Sequence, residues 1–198
     1  VHAGAQEPLA KIPVSREFMS RFDFDISLAR IGQSDPRFTW DGRARGDIDL
    51  LDYVKGRASL LAEYGVIAGS QLRPFDPNQG NYTFEGSSSL RFRKTEFAGV
   101  FHHLSRPLGD RATSPTIAAN TLGARVMRSF ALRNWRLNTR ADIGTVVRKR
   151  FLDYSWTSGL HVAARKPVSP SVGLFVRSDI ENFGVDRAIA NRGSQTGG

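Results

Sequence analysis

The chain has 198 residues, a formal net charge of +9 and no cysteine, with a pI near 10.6 and a mean hydropathy of -0.33. That length suits one domain, and the missing cysteines exclude disulfides and thiolate metal sites. No run approaches the ~18 consecutive apolar residues of a membrane helix, and the arginines alternate with aspartates along the chain, which argues against nucleic acid as a partner.

Ala3-Gly4-Ala5 has the small-x-small form of a signal-peptidase site, so residues 1–17 are expected to be an export remnant or periplasmic segment. From there on, apolar and polar residues alternate with the period of two that a strand requires. The first run, 18 to 31, sets Phe22, Phe24, Ile26 and Leu28 against Arg21, Asp23, Asp25 and Ser27. The second, 37 to 53, sets Phe38, Trp40, Ala44, Ile48 and Leu50 against Arg37, Asp41, Arg43, Arg45, Asp47 and Asp49. A third, 57 to 69, opposes Leu60, Tyr64 and Val66 to Arg57, Ser59 and Glu63. The fourth, 81 to 93, opposes Tyr82, Phe84 and Phe92 to Glu85, Arg91 and Arg93. Both faces of the fifth, 95 to 106, are mixed: Phe97, Phe101 and His103 on one, Glu96, Val100 and His102 on the other.

Four more runs follow. Residues 118 to 131 place Leu122, Ala124 and Val126 opposite Arg125 and Met127, and 135 to 149 place Trp135, Leu137, Ile143 and Val147 opposite Arg136, Arg140, Asp142 and Arg148. Residues 152 to 166 set Leu152, Tyr154, Trp156, Leu160 and Val162 against Asp153, His161 and Arg165; 171 to 181 set Leu174, Val176 and Ile180 against Arg177, Asp179 and Glu181. All nine prolines lie outside these runs, as expected of a residue that cannot donate to a ladder.

These runs are more than twice the length of an ordinary globular strand and match the 9 to 11 residues, plus flanks, that a tilted strand needs to cross a bilayer. Tight connections alternate with long ones at 70 to 80 and 107 to 117, the pattern of short periplasmic turns and long external loops. The expected fold is an all-β, up-and-down antiparallel transmembrane β-barrel of a bacterial outer membrane. Nine strands occupy 18–181, an incomplete barrel of ten or twelve strands. Residues 182–198 are expected to be an external loop or truncated tail. Trp40, Tyr82, Tyr154 and Trp156 then mark one membrane boundary. A soluble lipocalin-like carrier, with the apolar face inward, is the competing architecture.

The charged face would fill a narrow lumen, which makes a structural or binding protein of the envelope the leading functional expectation, ahead of a small-solute pore. Membrane lipid is the expected partner, with lipopolysaccharide as its anionic form. Arg106, Arg111, Arg148 and Lys149 are the candidate headgroup contacts. No cofactor or metal is expected. His102 and His161 both fall on the polar face and could meet in the lumen.

One segment, Val100-Phe-His-His-Leu-Ser-Arg-Pro-Leu-Gly-Asp110, carries possible chemistry. His103 and Ser105 are two apart, so they share a strand face, and an imidazole there could take the hydroxyl proton. This His-x-Ser resembles the spacing in outer-membrane lipid hydrolases, the lipid A deacylases and outer-membrane phospholipases. The resemblance implies His103 as base and Ser105 as nucleophile of an outer-leaflet lipid acyl hydrolase. In those families Asn follows the serine, where this chain has Arg106, and the neighbouring run supplies no acid to orient the histidine. With Leu108-Gly109-Asp110, the segment also resembles an uncharacterised family of outer-membrane barrels over about a dozen residues. The alternative is that His103 is interfacial and Ser105 merely caps a strand.

Overall fold

A computed structural model describes residues 15–32, 35–107, 116–169, 172–185 and 194–197, and contains no helix among them. Nine long strands follow one another: β1 (Glu17–Arg30), β2 (Trp40–Asp52), β3 (Arg57–Gly69), β4 (Asp76–Phe92), β5 (Thr95–Arg106), β6 (Ile117–Leu132), β7 (Trp135–Arg150), β8 (Tyr154–Pro167) and β9 (Gly173–Val185). A four-residue strand, β10 (Ser194–Gly197), pairs back onto the end of β9. Every strand is antiparallel to its sequence neighbour, so the sheet has the order of the chain, β1 to β10, and is curled into a half-barrel. Among the described residues nothing pairs with the outer edge of β1, nor with β9 before Glu181.

The curl sorts the two faces. On the convex side the apolar rows lie open: Phe22, Phe24, Ile26 and Leu28 on β1 are each more than 60% exposed, and Phe97, Leu122, Ile143, Leu160 and Val176 continue the surface around the sheet. On the concave side the buried side chains are mainly ionic, with Arg45, Asp47, Asp49, Arg57, Glu85, Glu96, Arg125 and Arg140 all under 9% exposed. Burial on this scale is tolerable only when each charge is paired and its hydrogen bonds are met. The pairs reach across intervening strands, which a flat sheet would forbid. Arg57 on β3 bonds Asp49 on β2 at 2.9 Å and Glu96 on β5 at 2.8 Å. Ser89 and Ser59 cap the same carboxylates. Arg91 on β4 reaches Asp52 on β2 at 2.6 Å. Arg125 on β6 bonds Glu85 on β4 at 2.7 Å and Asp142 on β7 at 2.5 Å. The fifth strand, ambiguous in sequence, is settled by this chemistry: Glu96 turns inward to Arg57, and Phe97 and Phe101 turn out.

Three boundaries shift by more than two residues from the sequence reading, the first two for a local reason. The long connection 70 to 80 shortens because β4 starts at Asp76, taking in Pro77 at a register shift where a missing N–H costs no ladder bond. Residues 37 to 39 leave the second run for a turn in which Asp35 accepts from the backbone and guanidinium N–H groups of Arg37. The segment expected to be loop or tail from 182 instead continues β9 to Val185 and holds β10. Residues 1–14 lie outside the described residues. Tight turns at Arg93 and Arg133, both at positive φ, fall at one end of the sheet, and the longer connections 70–75 and 107–116 at the other.

Candidate functional site

The site grows from the end of the sheet where β5 and β7 finish and β6 begins. His103 and Ser105 point to the convex face, because Glu96, Ala98, His102 and Leu104 between and before them face inward. Across the ladder His103 is paired with Asn120 of β6, and its Nδ1 lies 2.6 Å from Asn120 Oδ1. With the amide oxygen accepting, Nδ1 is the donor, and in the neutral ring Nε2 is then the nitrogen with the lone pair. A carboxamide can hold an imidazole in this way, as in the Cys-His-Asn arrangement of papain-like proteases. Asn120 thus holds the imidazole where the sequence reading looked for an acid. Asn120 lies in the neighbouring run, but only the register between β5 and β6 sets it opposite His103. Ser105 is one cross-strand row further toward the strand end, beside Tyr82 on one side and Ala118 on the other. Among the described residues no hydrogen bond joins Ser105 to His103.

A bulge places two arginines on the same face. Thr121 pairs with Val146 but Asn120 pairs with Arg148, so β7 carries one extra residue opposite this step. Such a bulge re-aims the side chains beyond it. Arg148 consequently joins the outward row of His103 and Asn120, and Arg150 the row of Ser105 and Ala118. Arg148 was expected on the polar, inward face, as continuous alternation demands; the extra residue is what reverses it. Lys149 takes the inward register opposite Ala119, and its Nζ donates to the Tyr154 carbonyl at 3.2 Å. Arg106 lines the concave cavity, and Arg111, with Leu108, Gly109 and Asp110, lies outside the described residues. A second register shift, between Tyr154 and Trp156, turns Tyr154 inward against Phe183, with ring centroids 4.8 Å apart, and leaves Trp156 outside. Tyr154 thus lines the cavity and not the outer aromatic row where the sequence reading had it, and Leu152, expected on the apolar outer face, lines the cavity too.

That cavity, about 410 Å³, occupies the concave side above the ionic network. It exists because the inward positions at its wall are small: Gly123 faces Gly144 across β6 and β7, with Ala119 beside them. Its lining combines apolar side chains, Val100, Leu104, Val146 and Phe183, with charged ones, Glu85, Arg125, Arg140 and Asp142. His102 and His161 both line it. His161 is held by carboxylates on each side, Nδ1 at 2.6 Å from Asp179 and Nε2 at 3.6 Å from Asp142. Among the described residues no three His, Cys, Asp or Glu side chains are grouped as a metal site.

Aromatic and cationic groups gather at both ends of the convex face. At the end bearing the site, Trp40 meets Phe75 at 5.7 Å and Tyr64 meets Tyr82 at 4.8 Å. At the other, the Arg93 guanidinium lies over Phe92, Arg128 over Phe130, and Lys166 Nζ over Trp135. Ten residue steps of β4 separate Tyr82 from Phe92. At about 3.3 Å per residue they lie roughly 33 Å apart along the strand. Comparison with protein-family models, with curated proteins and with solved structures returned no match.

Proposed function

We propose that this chain is a β-barrel protein of a bacterial outer membrane, with a structural or lipid-binding role and a lumen plugged by its own ion pairs. The observation that carries this reading is the inversion of the two faces: aliphatic and aromatic rows exposed on the convex side, buried arginine and aspartate rows on the concave side. A soluble carrier would need the opposite arrangement, since apolar surface is what water drives inward. At the roughly 40° tilt of strands in outer-membrane barrels, the two aromatic ends would stand about 25 Å apart along the membrane normal, the height of the apolar band in such barrels. In this reading the edges of β1 and of β9 before Glu181, unpaired among the described residues, are covered when the barrel closes, because hydrocarbon cannot hydrogen-bond a bare strand edge. The ionic network makes an open pore the weaker reading, because Arg57 and Arg125 cross the concave space with their carboxylate partners. The test is refolding from urea into detergent micelles or vesicles. A folded form that resists SDS at room temperature and runs differently after boiling supports it; a monodisperse protein that folds without amphiphile refutes it.

One observation favours a second reading, a lipid acyl hydrolase: the Asn120 contact that leaves His103 Nε2 as base on the face that also bears Ser105. In it Ser105 attacks an ester carbonyl, His103 takes the hydroxyl proton and returns it to the departing alcohol, and water then releases the acyl group. Release of fatty acid from phospholipid or lipid A in mixed micelles, abolished by Ser105→Ala, is its test.

A further inference from the structure

We infer that Arg148 and Arg150 form a clamp for the phosphate of an anionic membrane lipid, seated on the outer face beside His103, Ser105 and Asn120. The inference rests on the membrane reading above, and extends it by naming a lipid class and the two residues that select it.

Three observations converge on it. First, the β7 bulge opposite Asn120 is what sets both arginines outward; without the extra residue, alternation would turn both side chains into the lumen. Second, neither guanidinium has a carboxylate partner among the described residues, in contrast to the lumenal Arg45, Arg57, Arg91, Arg125 and Arg140, each of which has one. An arginine placed at an apolar face without a counter-ion is a ready donor to phosphate, whose oxygens it can bind two at a time. Third, the surroundings suit a lipid better than a free anion. Val147, Ile143 and Trp156 are exposed on the same face, and Arg150 lies 5.5 Å from the Phe151 ring centroid. A ligand that satisfies this surface carries an anionic head for the two arginines and acyl chains for the apolar side chains below them.

The clamp can be tested with Trp156 as a reporter, because it sits on the adjacent strand opposite Thr145. A Trp40→Phe, Trp135→Phe background leaves this indole alone. In vesicles, quenching of Trp156 by brominated phosphatidylglycerol is compared with quenching by brominated phosphatidylcholine. The expected result is an association with the anionic lipid about fivefold stronger for each arginine engaged. That preference should fall to near unity in Arg148→Gln/Arg150→Gln, and should survive Arg128→Gln/Lys166→Gln at the opposite end. An equal preference before and after removal of Arg148 and Arg150 would overturn the clamp while leaving the membrane reading intact. Failure of brominated phosphatidylcholine itself to quench Trp156 would overturn both.

Discussion

His103 and Asn120 face each other across the ladder between β5 and β6, with Nδ1 and Oδ1 2.6 Å apart on the convex side of the sheet. The contact fixes the tautomer, and with it the nitrogen that could serve as a base. If the site hydrolyses acyl esters, Ser105→Ala should abolish fatty-acid release. Asn120→Ala should lower it by a factor on the order of 10² or more through the wrong tautomer and a free ring, whereas Asn120→Asp should retain much of it. Folding should be intact in all three by urea titration. A hydrolysis rate indifferent to Ser105→Ala would remove the serine from the chemistry and leave His103 and Asn120 as a polar pair at a boundary.

The orientation of the sheet is testable at Ile143, which is 62% exposed on β7 and remote from both aromatic ends. Facing hydrocarbon, Ile143→Arg should cost roughly 2–4 kcal/mol of folding free energy in vesicles, the penalty for arginine near a bilayer midplane. Facing water, the same change on an exposed position would be nearly neutral. Urea unfolding of the refolded protein distinguishes the two outcomes directly.

Arg57 is the centre of the ionic network, fully buried and bonded to both Asp49 and Glu96. Arg57→Met keeps the volume but removes the shared cation, leaving Asp49 to Arg21 and Ser59 and Glu96 to Arg91 and Ser89, and should destabilise the fold by less than the about 3–5 kcal/mol of a wholly unpaired buried charge. Replacing the carboxylates as well, Asp49→Asn and Glu96→Gln, should recover a substantial part of that loss. A double-mutant cycle at equilibrium gives the coupling. A single substitution without effect would show that the lumen is hydrated and that the network plugs nothing.

The nine strands were legible because a two-residue period persists for a dozen positions, which no loop or helix imitates. β2 and β7 were clear since nearly every inward residue is charged or polar. The places that sequence could not give are those where the count breaks. An extra residue in β7 opposite the Asn120–Thr121 step reverses the side chains after it, and one in β8 between Tyr154 and Trp156 reverses those before it. That is why Arg148 and Tyr154 both ended on the face opposite to the one that alternation assigns. Nothing in the local composition marks either bulge. His103 and Ser105 could be paired from their spacing, whereas Asn120 required the register between two strands, a long-range property.

The turn of residues 35–38 is pinned at Gly69, where the chain passes so close that an added Cβ would strike the Pro36 carbonyl oxygen and lie 2.7 Å from Arg37 backbone atoms. Ser70 N–H donates to the Pro36 carbonyl at 2.8 Å, and Asn78 Nδ2 donates to the Arg37 carbonyl at 2.6 Å. Gly69→Ala should therefore release the turn from the rim while the strands stay paired, visible as loss of amide protection at Ser70 with the β3 ladder unchanged.

Within the same turn, the side-chain and backbone hydrogen bonds from Arg37 hold the Asp35 carboxyl below its ordinary value. Its folded pKa is thus depressed relative to the unfolded chain, near 3.9. The contribution to stability is present above that unfolded value and is lost as pH falls through the lower, folded one. The pair is exposed, so solvent screening keeps the effect on global unfolding small. An NMR titration of Asp35 should show a midpoint below that of an ordinary aspartate, returning to the ordinary value in Arg37→Gln. A midpoint that does not move on loss of Arg37 would mean the pairing is absent in solution.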